Sequence, residues 1–343
     1  MKRVILVLVC LVGWMAVHAQ KYYITSQYIY DLYLINPAAA GFYKGCYTVN
    51  GFYQKQWYGV DQAPTTQILS FQGPATESLG VGVYGYNDRN GNYGEMGVQA
   101  ALSYEVLLIK NRRTTSTLTF GMAFMGEQSS VDYSNLSDEA MNDPVVANGI
   151  EKGMGLNASA GALLKYNHYH AGFAVTNILP QTNPMYTEAE DPDLTMDLHF
   201  HFGGTYKLNH RDVFFEPLVM YRRNGDVNSR LDLSVKSLMP TPDRNLSFWS
   251  VVAYRRDMDE KFGKSTGLIT TAGVYYHQFN VGLEYQLGLT GARSDYGNYY
   301  KLVLGYRFCK KRTKGSIPCS EIRRNKRKYA SKTVKKLFDN NEQ

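Results

Sequence analysis

The sequence predicts an all-β protein, a transmembrane antiparallel β-barrel of about fourteen strands, from three observations. The first is period-two alternation. Phe279, Val281, Leu283, Tyr285, Leu287 and Leu289 alternate with Asn280, Gly282, Glu284, Gln286 and Gly288, the pattern of a strand with one apolar face. Residues 96–106, 196–206 and 231–235 alternate in the same way. The second is the polar face, which sets opposite charges among Gly, Ala and Ser, as a polar lumen would. The third is the placing of aromatic residues (Trp57, Tyr58, Tyr221, Tyr254, Tyr276, Tyr306) near strand ends, as in the girdles of membrane barrels. A soluble sandwich would share only the first.

The chain opens with Lys2 and Arg3, an apolar run over residues 4–17, and Val17-His18-Ala19. A positive start, a short apolar centre and a small-x-small end predict a signal peptide over residues 1–19. The run is shorter than the roughly 20 residues of a membrane-spanning helix, and the mean hydropathy of −0.34 speaks against a helical membrane protein. Cys10 lacks a lipoprotein pattern before it. The mature chain is expected to begin near Gln20, with Cys46, Cys309 and Cys319 in an oxidising compartment. Residues 20–44 are expected to form a periplasmic or plug segment, residues 45–309 the barrel, and residues 310–343 a basic periplasmic tail.

Strands are expected to start near Cys46, Pro64, Leu79, Gly94, Thr114, Gly153, His168, Met196, Asp212, Val227, Asn245, Thr266, Gln278 and Tyr299. An even count puts both barrel ends on the periplasmic side. The connections over residues 129–152, 178–195, 257–265 and 290–298 then face outward, and tight turns at Asn167 and His277-Gln278 face inward. The acidic stretches with Asp138, Glu139 and Asp143, and with Glu188, Glu190, Asp191 and Asp193, fall on the outer surface. The first strand is expected to meet the outer interface at Trp57 and Tyr58, where amphipathic rings are at home. Lys55 and Gln56 mark the upper end of the wall, and Pro64 opens the next strand, where a missing donor costs least. Residues 213–222, 246–255 and 268–277 alternate poorly. Pro217 has no edge strand to occupy, so a bulge is expected there.

"LINPAAAG" (residues 34–41), "KQWYG" (residues 55–59), Ala63-Pro64 with Gln67, and "LGVGVYGYND" (residues 79–88) carry a resemblance. They resemble the PorP/SprF family of outer-membrane proteins of type IX secretion and gliding machinery. Its motif falls on Asn36, Pro37, Gly41, Lys55, Gln56, Trp57, Gly59 and Pro64. The resemblance implies a non-enzymatic component in the bacterial outer membrane. Its partners would be other secretion subunits, an exported adhesin or peptidoglycan, besides the lipid bilayer. A porin-like passive channel is the alternative.

Other signals carry little chemistry. Gly80-x-Gly82-x-x-Gly85 matches a dinucleotide fingerprint but sits in an alternating strand with no helix after it; small glycines in the wall explain it. His168/His170 and His199/His201 each place two imidazoles on one strand face. The expected topology sets the pairs at opposite ends of their strands, which excludes one shared metal site, and lumen packing accounts for them. No catalytic triad, metal set or cofactor motif stands out.

Cys46 opens the first strand and Cys309 closes the last, so a disulfide across the seam is one expectation. A Cys309–Cys319 bond in the tail and three free thiols are the others. The last strand sets Leu302, Leu304, Tyr306 and Phe308 outward, resembling the terminal signal of barrel insertion. Residues 309–343 hold twelve basic residues against Glu321, Asp339 and Glu342, a net +9 in a chain of +7. The rest of the chain is therefore −2. Arg323, Arg324, Lys326, Arg327, Lys328, Lys335 and Lys336 are the expected partner-binding residues of a partly helical arm. In the periplasm such an arm meets no nucleic acid; an acidic protein surface or anionic wall material fits it.

Overall fold

The structure, a computed structural model, describes residues 24–43, 45–56, 62–111, 114–133, 150–179, 196–208, 213–224, 228–243, 245–258, 265–288 and 299–309. Fourteen strands follow in meander order. They are β1 (Cys46–Lys55), β2 (Thr65–Pro74), β3 (Leu79–Asn90), β4 (Tyr93–Lys110), β5 (Thr115–Asp132), β6 (Ile150–Tyr166) and β7 (Tyr169–Thr176). Next come β8 (Asp197–Gly204, resumed over Tyr206–Lys207), β9 (Phe214–Asn224), β10 (Asn228–Pro240), β11 (Leu246–Asp257), β12 (Ser265–Tyr276), β13 (Phe279–Gly288) and β14 (Tyr299–Cys309). Each pairs antiparallel with its neighbours. β14 returns to β1 from Cys46↔Cys309 to Lys55↔Tyr300, so the sheet closes into a barrel.

The wall is inverted relative to a water-soluble domain. Leu69, Val98, Phe124, Met154 and Leu156 point outward, the last two 77 % and 73 % exposed. Ser70, Gln99, Ser103, Glu127 and Asn157 point inward and are buried. An apolar exterior around a polar interior is the arrangement a bilayer stabilises.

The poorly alternating stretches have a physical cause. Leu218, Met220, Trp249, Val251, Ala253 and Ile269 face the lumen yet are apolar and buried, because they pack on the N-terminal segment that fills it. Pro217 corrects its expectation. It pairs with Val235 on β10, and Phe215↔Tyr206 and Leu218↔Gly203 keep one register on either side of it. Proline's missing donor therefore interrupts the ladder and divides β8 without a bulge. Bulges fall instead at Leu107/Ile109 and Arg255/Arg256.

The segment before β1 is a plug inside the barrel. It forms three single-turn 3-10 helices, Gln27–Ile29, Leu32–Leu34 and Pro37–Ala39. Asp31 and Asn36 cap the second and third, accepting from Tyr33 N (3.2 Å) and Ala38 N (2.9 Å). Pro37 opens its turn where no N–H is needed. Thr25 lies beside Gln54, near the far end of β1. Phe42 lies beside Lys165 and His170, at the ends of β6 and β7. The plug thus descends the lumen towards the rim that carries Cys46 and Cys309.

Candidate functional site: the plugged lumen

On one side the plug rests on glycines. A methyl at Gly121 would collide with the backbone of Pro37 and Ala38. One at Gly161 would collide with Asn36, one at Gly82 with the Tyr33 ring, and one at Gly80 with the Ala40 carbonyl. Two glycines of the apparent nucleotide fingerprint, Gly80 and Gly82, are therefore seats for the plug. Gly41 adopts φ +71°, which favours glycine. Its N–H donates to Gln72 Oε1 (3.0 Å).

On the other side the plug meets charges. Ser26 Oγ donates to Glu284 Oε1 (2.5 Å), which also pairs with Lys301 (2.9 Å); Lys301 in turn donates to Ser26. Tyr30 OH donates to Glu284 Oε2 (2.8 Å). Tyr28 OH donates to Asp232 (2.5 Å), and Arg255 and Arg230 neutralise that carboxylate at 3.1 and 3.4 Å. Both guanidinium groups also donate to the Thr25 carbonyl, at 2.9 and 3.2 Å. Buried charges held this way are paired and hydrogen-bonded, the condition for tolerating them.

Asp31 joins the two sides. It accepts from Asn50 Nδ2 (2.8 Å), Ser70 Oγ (2.6 Å), Gln72 Nε2 (2.6 Å) and Tyr33 N (3.2 Å).

The histidines correct the sequence expectation. His170 pairs with Gly203 and Gly172 with His201, which brings the two rings to 5.8 Å. Both strands are short, so two residues of stagger do not separate them. Each ring lies over the glycine of the opposite strand, and His201 Nε2 meets Asn36 Nδ2 of the plug at 3.2 Å. His170 Nε2 and His201 Nδ1 have no hydrogen-bond partner. Among the described residues no group of three or more His, Cys, Asp or Glu could hold a metal.

The family-motif residues separate by place. Asn36, Pro37 and Gly41 lie in the plug, and Asn36 also donates to Ala162 O (3.2 Å). Lys55 ends β1, and Gln56 N–H donates to Pro64 O (2.9 Å), which closes the base of the first connection. Trp57 and Gly59 lie outside the described residues, as do the signal peptide, the acidic outer stretches, Cys319 and the whole basic tail. A disulfide joins Cys46 to Cys309 across the seam, with sulfurs at 2.07 Å and Cα atoms at 3.9 Å. Asp31, Thr25, Ser26 and the glycine seats Gly121, Gly161 and Gly172 escaped the sequence reading. The signal available for the seats was glycine recurring at lumen-facing positions of adjacent strands.

Several solved structures resemble this barrel at low identity. The TodX monoaromatic hydrocarbon channel, as its deltaS2 mutant, matches at TM-score 0.45 and 10% identity, over 84% of this chain and 94% of that one. A Pseudomonas aeruginosa FadL homologue matches at 0.43 and 11%, over 79% and 91%. Salmonella typhi OmpF, in complex with daunomycin, matches at 0.36 and 13%, over 77% and 96%. No curated protein matches the chain. A family model described as type IX secretion system membrane protein PorP/SprF covers residues 17–306. With its closed wall and motif-bearing plug, the chain belongs to the PorP/SprF family of type IX secretion system membrane proteins.

Proposed function

We propose that this protein is a closed, non-enzymatic outer-membrane component of the type IX machinery. It would anchor periplasmic subunits or exported surface proteins at the rim where β1 begins and β14 ends. The observation that carries this reading is the plug: Ser26, Gln27, Tyr33, Asn36 and Ala39 have no exposed surface. A lumen so filled disfavours the passive-channel alternative and leaves the rims as the working surfaces. With that rim facing the periplasm, the +9 segment after Cys309 would dock to an acidic ring subunit or anionic wall material.

Two measurements test the reading. The wild-type barrel should be electrically silent in planar bilayers, and deletion of residues 24–43 should make it conduct. Deleting residues 315–343 should leave the barrel inserted, reduce its co-isolation with secretion subunits in crosslinked envelopes, and remove the salt dependence of that retention. A steadily conducting wild type would favour the channel. Equal retention of both forms across a salt series would remove the tail from the anchoring role.

A further inference from the structure

The β4–β5 hairpin outruns its neighbour. β3 begins at Leu79, which pairs with Tyr104, and Glu105 N–H still reaches Ser78 O at 2.8 Å. Among the described residues, β4 pairs from Val106 to Lys110 with β5 alone. Among the described residues this stretch is a strand edge without a second neighbour, at the rim that carries the seam disulfide.

Its side chains depart from the rule of the wall. Val106, Leu107, Leu108 and Ile109 are all exposed, at 39, 42, 51 and 42 %, whereas the same strand from Met96 to Tyr104 exposes every second residue. Successive strand residues face opposite sides, so this unbroken apolar run, which carries the bulge at Leu107/Ile109, presents apolar groups to both faces. A projecting edge with unpaired backbone groups and apolar side chains on both faces is a template for an added strand.

Charge selects the occupant. The edge ends in Lys110, and Arg112-Arg113 follow in the sequence. The chain's own tail is excluded as the added strand by its net +9. A second copy is also disfavoured. Copies in one bilayer are related by an axis along its normal, which runs the two edges parallel and sets the cationic tips side by side. We propose that residues 106–110 accept, by strand addition, an extended segment of another protein flanked by acidic residues. This deepens the anchoring reading by naming how a partner is gripped, and it rests on that reading only for which side of the membrane the partner occupies.

The test uses the mature full-length protein in detergent micelles and is indifferent to that side. The probe is a ten-residue alternating Val–Thr peptide with two Asp at each end; the control carries Lys at both ends. Amide hydrogen exchange over residues 106–110 should slow at least tenfold with the acidic peptide and stay unchanged with the basic one. Exchange in β12 and β13 should not move. Leu107→Asp combined with Ile109→Asp should abolish the protection. Should that variant not fold, Lys110→Glu with Arg112→Glu and Arg113→Glu should shift the preference to the Lys-ended peptide. No protection by the acidic peptide, or equal protection by both, overturns the proposal. Because no export assay is involved, its failure would leave the plug and tail measurements standing.

Discussion

Between β3 and β7 the plug meets glycines; between β10 and β1 it meets charges. Gly80 and Gly121 leave room for the backbone of Ala40 and of Pro37-Ala38, and Gly82 and Gly161 for the side chains of Tyr33 and Asn36. Asp232, Arg255, Glu284 and Lys301 grip hydroxyls and a carbonyl from Thr25 to Tyr30. One half of the segment is held by shape and the other by polarity. The glycine side should therefore tolerate no added volume, and the charged side no unbalanced charge.

The largest expected effect is on the charged side. Lys301→Met leaves Glu284 buried without its cation and should cost about 3–5 kcal/mol, read as a shift in the denaturation midpoint of the micelle-bound barrel. Lys301→Met with Glu284→Gln should recover most of that loss. A double variant as unstable as the single would show that packing dominates here too. Next comes Gly121→Val, expected to cost about 2–3 kcal/mol by overpacking against the Ala38 backbone. It should also raise bilayer conductance as the plug is pushed aside; an unchanged midpoint with a silent barrel would break the shape argument.

Asp31→Ala strips the shared acceptor from Asn50, Ser70 and Gln72 and should cost about 2 kcal/mol by leaving buried donors unpaired. Replacing Asn50 as well should add little, and additive losses in a double-mutant cycle would place the two outside one network. The smallest effect is expected from Asn36→Ala, about 1 kcal/mol for loss of a cap. Asn36→Asp should retain the cap to Ala38 while losing the donor to Ala162, and comparing their midpoints separates the two roles.

The wall was legible in the sequence because alternation is local. The expected starts at Cys46, Leu79 and Tyr299 coincide with the observed ones, and Gly153 for Ile150 is a larger miss. Legibility failed where the lumen face is apolar against the plug. Trp249 breaks the pattern because it buries against Tyr30, a contact between residues more than two hundred apart, and Ile269 belongs to the same buried cluster. The plug itself has neither strand nor helix period, so the alternatives for residues 20–44 could not be separated from pattern. The histidine error had a different origin. Strand direction was right, but the depth of His201 depends on a register that sequence spacing does not specify.

The plug also gives the molecule a mechanical character. The disulfide makes residues 46–309 a covalent ring, and residues 24–43 run through that ring from the Gln54 end to the Cys46 end. Within the described residues the molecule is thus a lasso whose thread leads from the seam rim through the ring to Ile24. A bare end can be withdrawn through the ring, but a folded domain fused before Ile24 acts as a stopper. If it lies beyond the far rim it locks the thread in place as in a rotaxane; if it remains on the seam side it keeps the thread from entering. For such a fusion, the order of threading and ring closure decides which state is reached, and the two products interconvert only by unfolding the stopper or opening the ring.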